Sequence, residues 1–395
     1  MRWAVFCGGL LWSQVVAAAP SLTMAEALSR AEIGAPDVVL SAARASTART
    51  EVGVAGMLQN PRLTVGTTTA STAVFASLFV ALPIFGQRGM AMGAADAQAR
   101  VATAGVELAR LDARLAVSWA WVALWQAEAE LAIQRDNAQR RDRILETAKI
   151  RYTEGAAPRL EILRVQTEAR RAHGEVAAQE ELQISAAARL GALIPPGGEL
   201  PSAEGEPRTA TAPTENELDG SLTDHPLLRR ARALLHAADA VVARERRERW
   251  PILGLQIGGG FLDRNPPPQN DFSFALSADV PVFNGALVHR ALSTRDTARV
   301  ELGVIQLQQR ARAVAARAEY LAAQRRRGAL VESVLPSAIE VAELSAEAYR
   351  AGGLDLTGTL AAEQALSDAR LASVRATADE SRALAVLEHA AGRAR

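Results

Sequence analysis

Apolar side chains recur every seven residues along two long stretches of the chain. The two series are Leu108, Leu115, Val122 and Ala129, and Val300, Leu307, Val314 and Leu321. A seven-residue period places one apolar seam on a helix and favours coiled-coil packing against a neighbouring helix. No proline occurs between residues 87 and 152, so one helix there could extend about 95 Å at 1.5 Å per residue. Pro336 should bend or end the matching helix of the second stretch.

Glycines mark the points at which the two long helices turn back. Gly155 and Gly352 end the outgoing helices, and Pro158 suits the first turn of a returning helix. The pattern therefore predicts a long antiparallel helical hairpin in each half of the chain, over residues 87–193 and 285–393.

Alternating apolar and polar or small residues precede each long helix. Residues 251–261 and 271–281 show this period of two most clearly, and residues 62–69 and 74–83 repeat it. The pattern predicts four strands in two hairpins, which turn near Ser71 and across Asp263 to Asn270. Strands of about nine to eleven residues with one apolar face suit a barrel that spans a bilayer. Four strands cannot close a barrel, so several chains would each have to contribute.

Landmarks of the first half recur in the second half. Pro83–Gly86 (PIFG) returns as Pro281–Gly285 (PVFNG), and Tyr152–Gly155 (YTEG) returns as Tyr349–Gly352 (YRAG). The interval from Pro83 to Tyr152 differs by one residue from the interval between Pro281 and Tyr349. Matched landmarks at matched intervals indicate a tandem duplication.

The duplication divides the chain into four segments. Residues 1–19 are predicted to be a signal peptide, because a short positive start and an apolar run lead to three alanines before Pro20. Residues 20–193 form the first repeat and residues 220–395 the second. Between them, residues 194–219 are rich in proline, glycine and threonine, and we interpret them as an exposed, partly ordered connector.

Composition excludes several classes of function. The 44 Lys and Arg balance the 44 Asp and Glu, which argues against a nucleic-acid binder with a broad basic face. The single cysteine rules out internal disulfides and thiolate clusters, and the five histidines show neither ligand spacing nor a catalytic context. We therefore predict no catalytic residue, no cofactor and no metal site.

In their order along the chain, these landmarks resemble the TolC family of outer-membrane efflux proteins, over nearly the whole chain after residue 19. The matching segments are Asn60-Pro61, Leu82–Gly89, Arg151–Gly155 and Leu160–Leu163, and Tyr349, Gly352 and Leu360 repeat the tip pattern. Residues 85–89 and 151–163 look most like the heavy-metal (CzcC-like) branch of that family.

The resemblance implies a mainly helical protein with a membrane β-barrel. Three copies would assemble into a homotrimer whose twelve strands form one barrel in the outer membrane, in contact with its lipid. Their helices would continue into the periplasm as an α-barrel. The implied function is passive: the channel would receive substrate, heavy-metal cations in that branch, from an inner-membrane efflux pump through a periplasmic adaptor protein. No nucleic-acid partner is implied.

The resemblance also places candidate functional residues at the hairpin tips. Tyr152, Gly155, Tyr349 and Gly352 are expected to form the periplasmic turns where the tunnel narrows and the adaptor docks. Helix packing is an alternative role for the two tyrosines.

An acid near the tip is expected to hold the closed aperture. Glu161 occupies that place in the first half, where Arg159 and Arg164 could be ion-pair partners or could simply lie on a solvated helix face. The second half has Gly358 instead, so Asp355 is only a substitute candidate.

Two further interpretations remain open in the sequence. Trp119, Trp121 and Trp125 are predicted to pack against neighbouring helices rather than to bind substrate. A secreted structural or adhesive coiled coil without a pore is the alternative function, because it explains the heptads and the signal peptide. It does not explain the alternating strands or the duplication that includes them.

Overall fold

A computed structural model describes residues 21–68, 73–195, 200–262, 269–282 and 284–393. The predicted signal peptide, the turn near Ser71, most of the loop from Asp263 to Asn270, Phe283 and residues 196–199 of the connector lie outside the described residues. The strands are β1 (Ser21–Thr23), β2 (Arg62–Thr68), β3 (Ala73–Leu82), β4 (Ser202–Glu204), β5 (Ile252–Leu262) and β6 (Gln269–Asp279). The helices are α1 (Met24–Gly34), α2 (Pro36–Ala55), α3 (Gln87–Thr153), α4 (Arg159–Leu193), α5 (Glu215–Leu222), α6 (Pro226–Arg247), α7 (Gly285–Ala329), α8 (Leu335–Arg350) and α9 (Leu356–Ala390).

The two β-hairpins join into one antiparallel sheet in the order β2-β3-β5-β6. Residues directly opposite each other in this register point to the same face. One face carries the larger aliphatic and aromatic side chains, most of them exposed: Leu63, Val65, Leu78, Val80, Leu255, Ile257, Phe272, Phe274 and Leu276. Within the described residues, the outer edges of β2 and β6 have no partner strand.

The opposite face of the sheet is built from small and polar residues, with two phenylalanine rings laid over glycines. A Cβ atom added at Gly66 would lie 2.6 Å from the ring of Phe75, and one at Gly254 would lie 2.3 Å from the ring of Phe79. Only glycine fits beneath either ring. Such aromatic–glycine pairs help to fix the register between neighbouring strands.

The long helix of the first repeat is continuous, whereas that of the second is interrupted. α3 runs for 67 residues without a break, about 100 Å at 1.5 Å per residue. In the second repeat a π-helical turn, Leu330–Val334, separates α7 from α8. Pro336 lies in the first turn of α8. Because proline lacks an N–H and clashes with the preceding turn, it favours a local change of helical geometry there.

Two apolar clusters lie at the middle of the long helices and form a waist. The first joins β1, α1, the middle of α3 and the end of α4. The second joins α5, the middle of α7 and the end of α9. The connector residues from 200 onwards contact this waist: β4 pairs in parallel with β1, and the Ala210 N–H donates to Tyr320 Oη at 3.2 Å.

The predicted fold class is confirmed: the protein is mainly helical, with duplicated β-hairpins and long helical hairpins. No helix among the described residues is long and apolar enough to cross a membrane.

Candidate functional site

Both helical hairpins turn through the same backbone motif at their tips. Gly155 and Gly352 have positive φ angles of 77° and 79°, which glycine adopts without steric cost. In the first tip the Gly155 N–H donates to Tyr152 O at 3.0 Å, and the Ala156 N–H donates to Arg151 O at 2.8 Å. In the second tip the equivalent bonds measure 3.1 and 2.9 Å. This is the Schellman arrangement that satisfies the last carbonyls of a helix.

The two tip tyrosines have different environments. Tyr349 is only 2% exposed and belongs to a small apolar cluster at the second tip. Its neighbours in that cluster are Ile144 and Ala148 of α3, Val165 of α4 and Leu356 of α9. Tyr152 is 45% exposed. One tyrosine therefore already joins the two hairpins of a single chain, whereas the other presents its ring at the surface.

Arg151 holds the second tip against the first, a role that the sequence reasoning did not assign to it. Its Nη1 donates to Tyr349 O at 2.9 Å, and its guanidinium carbon lies 4.6 Å from the centroid of the Tyr349 ring. At that distance a cation attracts the ring face. The equivalent residue of the second repeat is Ala348, so the first repeat alone supplies this cation.

Glu161 points into this junction rather than towards arginines. It forms no ion pair with Arg159 or Arg164 within the described residues, and its buried Oε2 has no hydrogen-bond partner there. The Tyr349 hydroxyl is likewise buried without a partner. Burial raises the pKa of Tyr349, the negative charge of Glu161 raises it further, and Arg151 acts in the opposite direction.

Asp355 serves as the N-cap of α9. Its Oδ1 accepts a hydrogen bond from the Gly358 N–H at 2.9 Å, which satisfies one of the free donors of the first turn. The structure thus brings Tyr349 and Glu161 together and gives Asp355 a local structural bond. Tyr152 and the two tip glycines occupy the ends of the hairpins, as the sequence suggested.

A ladder of polar contacts joins α3 of the first repeat to α9 of the second repeat. Its rungs are Asp112–His389, Gln126–Arg382, Glu130–Arg375, Asp136–Arg370, Asn137–Ser367 and Arg141–Gln364. Several of these side chains are partly buried, and charge-assisted hydrogen bonds are about twice as strong as neutral ones. The two hairpins of one chain are therefore held together between the waist and the tips.

In the described part of the chain, Asp136 is the acid of this ladder that pairs with two arginines. It accepts hydrogen bonds from Arg140 of its own helix, at 2.9 Å, and from Arg370 of α9. Burial alone would raise the pKa of the Asp136 carboxyl, but the two arginines outweigh it and hold the pKa below its ordinary value.

An open groove of about 750 Å³ runs beside the second tip. Residues of α3, α8 and α9 line it, and they include Arg143, Glu146, Glu343, Glu347 and Tyr349. Arginine and glutamate side chains both line the groove, so a polar surface of a partner protein would fit it better than an apolar small molecule would.

The tryptophans lie at the waist and not at the tips. Trp121 is fully buried, and its Nε1 donates to Leu22 O at 2.8 Å. Trp125 packs against the same cluster, whereas Trp119 is about half exposed. Trp121 is therefore held in the apolar core of its own chain and bonded to β1, which the sequence pattern alone had not indicated. No group of three or more His, Cys, Asp or Glu residues in the described part of the chain could hold a metal ion.

Comparisons with known proteins agree with this architecture. A family model described as "Outer membrane efflux protein" matches residues 27–194, which is most of the first repeat. No curated protein matches the chain in sequence. Among solved structures, the CmeC outer membrane channel of Campylobacter jejuni is 13% identical, with a TM-score of 0.79 over 99% of this chain and 93% of that one.

Two further channels show the same fold at similarly low sequence identity. CusC is 15% identical, with a TM-score of 0.77 over 94% of this chain and 92% of CusC. The MtrE outer membrane channel of Neisseria gonorrhoeae, in its open state, is 17% identical, with a TM-score of 0.73 over 94% of this chain and 89% of that one. The chain has the fold of the TolC-like outer-membrane channels.

The family model agrees with two of the expectations drawn from sequence. The matching family model describes an efflux protein and not an enzyme, in agreement with the prediction that the chain has no catalytic role. The description of the family model also agrees with the expected outer-membrane location.

Proposed function

We propose that the protein is the outer-membrane channel of a tripartite efflux system and works as a homotrimer. The sheet carries the proposal: among the described residues neither outer edge has a partner strand, one face is apolar and exposed, and β3 leads into α3, which is about 100 Å long. An open edge leaves backbone N–H and C=O groups unpaired, which is not tolerated in the hydrocarbon of a bilayer. Three copies would supply twelve strands and close the edges.

In this assembly the hairpin tips form the periplasmic mouth of the tunnel. Tyr349 and Arg151 hold the two hairpins of each chain together, and Tyr152, Gly155 and Gly352 lie at the exposed ends. An adaptor protein that docks at the tips would contact these exposed ends and the charged groove between α3 and α8. Release of the Arg151–Tyr349 contact would let the second hairpin move away from the first and widen the mouth.

The finer proposal is that the cargo is a heavy-metal cation delivered by an inner-membrane pump. It is supported by the resemblance of residues 85–89 and 151–163 to the heavy-metal branch. A conduit needs no tight metal site, because selection by the pump precedes entry into the channel. Deleting the gene should therefore raise sensitivity to metal cations more than sensitivity to organic drugs, and the reverse result would contradict this choice of cargo.

Reconstitution of the purified protein tests the channel directly. We expect trimers in mild detergent and discrete conductance steps in planar bilayers. Leu276, which is 73% exposed on the apolar face, and its neighbour Ser277 on the other face provide a matched pair. Leu276→Arg should destabilise the inserted barrel by about 2–4 kcal/mol near the bilayer midplane, whereas Ser277→Arg should leave insertion intact.

Three results would contradict the proposal. The first is a protein that stays soluble without detergent, as a secreted fibre would. The second is crosslinking in mild detergent that yields only monomers and dimers. The third is equal tolerance of arginine at Leu276 and Ser277, which would show that the lipid-facing side of the sheet has been assigned wrongly.

A further inference from the structure

The end of α6 carries more positive charge than its local ion pairs neutralise. The segment from Arg244 to Trp250 reads RERRERW. Both of its acids pair with Arg244, Glu245 at 2.6 Å and Glu248 at 3.4 Å. Arg246 and Arg249 are exposed and have neither an ion pair nor a side-chain hydrogen bond within the described residues.

The first turn of α3 adds another free cation at the same level. The Gln87 side chain donates to Trp250 O at 3.3 Å and to Pro251 O at 3.1 Å, so the start of α3 lies against the segment that enters β5. Arg88 follows at once and is exposed. It too lacks an ion pair in the part of the chain that the structure describes.

Aromatic and apolar side chains separate these cations from the sheet. The ring of Trp250, which is 50% exposed, lies 5.6 Å from the ring of Phe85. The guanidinium of Arg247 lies 5.7 Å from the Trp250 ring centroid. Ile84 and Val282 are exposed just beyond the ends of β3 and β6. From the sheet to the helices, the surface therefore changes from apolar to aromatic to basic.

This order matches the chemistry of a bilayer from its hydrocarbon to its headgroups. Tryptophan prefers the boundary between the two, and arginine binds phosphate through two parallel N–H donors. Arginines next to a membrane-spanning segment also attract anionic lipids electrostatically. The hairpin tips lie about 100 Å away along α3, so a partner docked there would leave this surface free.

We propose that Arg88, Arg246, Arg249 and Trp250, here named the junction cluster, bind the phosphate of an anionic phospholipid in the periplasmic leaflet. The inference rests on the proposed membrane position of the sheet. Trp250 sets the depth of the headgroup, and the three free arginines neutralise its charge. The bound lipid holds the boundary between sheet and helices at the membrane surface.

Lipid retention measures this binding. The full chain is purified in mild detergent with equal amounts of phosphatidylglycerol and phosphatidylcholine, and native mass spectrometry counts the lipids that remain bound. We expect the wild-type protein to retain phosphatidylglycerol preferentially. The triple variant Arg88→Gln, Arg246→Gln, Arg249→Gln should lose that preference, by about five-fold for each arginine removed, with unchanged single-channel conductance.

A matched variant separates a site from a general loss of charge. Arg299, Arg312 and Arg325 of α7 are also exposed and without ion pairs in the described residues, and their change to Gln should leave the preference intact. The proposal is overturned if this control loses the preference equally, if the junction variant keeps it, or if excess inorganic phosphate displaces the lipid. Absent conductance with preserved lipid preference would instead contradict the proposed channel function.

Discussion

The two hairpin tips have the same backbone but use their tyrosines differently. Both end in a Schellman turn with a left-handed glycine, Gly155 or Gly352. Tyr349 is buried between the two hairpins of its own chain, whereas Tyr152 is half exposed. The duplication has kept the residues that determine the turn and allowed the side-chain contacts to diverge.

The difference has a simple geometric origin. The second hairpin packs on the first within one chain, so the contact at Tyr349 is already complete. The equivalent contact at Tyr152 needs another second repeat, which the proposed trimer would supply from the next copy. Exposed apolar side chains near both surfaces, Leu163 on α4 and Val341 on α8, fit such a contact.

Truncating the two tyrosines should give the largest difference between the tips. Tyr349→Ala removes a buried ring and should destabilise the tip by about 3–5 kcal/mol. Tyr152→Ala should change the stability of the isolated chain by less than about 1 kcal/mol. Denaturant unfolding and hydrogen exchange of the tip segments measure both effects. Equal losses would show that Tyr152 is buried within the chain as well.

Removing the cation of the first tip should have a smaller effect. Arg151→Ala deletes a charge-assisted hydrogen bond and a cation–π contact, so we expect a loss of about 1–2 kcal/mol and a higher conductance of the closed channel. Arg350 provides the control, because among the described residues its side chain bonds only to Ala346 O of its own helix. A larger effect from Arg350→Ala would contradict the assigned role of Arg151.

Sequence reasoning succeeded where a local pattern determines the structure. Gly155 and Gly352 mark the turns because a left-handed residue is required there, and alternation marks the strands because side chains point to opposite faces. The break near Pro336 was expected because proline bends or ends a helix. Its π-helical form was not predicted. The candidate functional residues at the tips were predicted from the resemblance to the TolC family and not from a local pattern.

The missed features depend on contacts between distant segments. The α3–α9 ladder pairs side chains more than 220 residues apart, and a sequence rich in Arg, Glu and Gln gives no indication of which of them meet. The contact of Arg151 with Tyr349 was not predicted for the same reason, since the two residues lie in different repeats. β4 was missed because three residues are too few to show a period.

Low pH should weaken the α3–α9 ladder, which joins the two hairpins that bury Tyr349. The pKa of Asp136 is held below its ordinary value, so its carboxylate stabilises the fold above the unfolded pKa, about 3.9. That contribution is lost as the pH falls through the lower folded value. The denaturant midpoint should therefore fall more steeply below pH 4 in the wild type than in Asp136→Asn. Parallel pH profiles would show that the ladder does not depend on this carboxylate.

The smallest predicted effect is a change in the pKa of Tyr349, and it tests the interaction of Glu161 with this tip tyrosine. The carboxylate of Glu161 raises the pKa of Tyr349, in addition to the larger effect of burial, so Glu161→Gln should lower that pKa while leaving it above its ordinary value. Since the chain has only three tyrosines, ultraviolet titration can resolve the change, and Tyr349→Phe identifies the signal. The uncharged variant should also reduce cation preference in planar bilayers, because a ring of three carboxylates near the mouth attracts cations. If Glu161 instead lies on a solvated outer face of the assembled trimer, both the titration and the selectivity will match the wild type, and the aperture must then depend on Arg151 and Tyr349 alone.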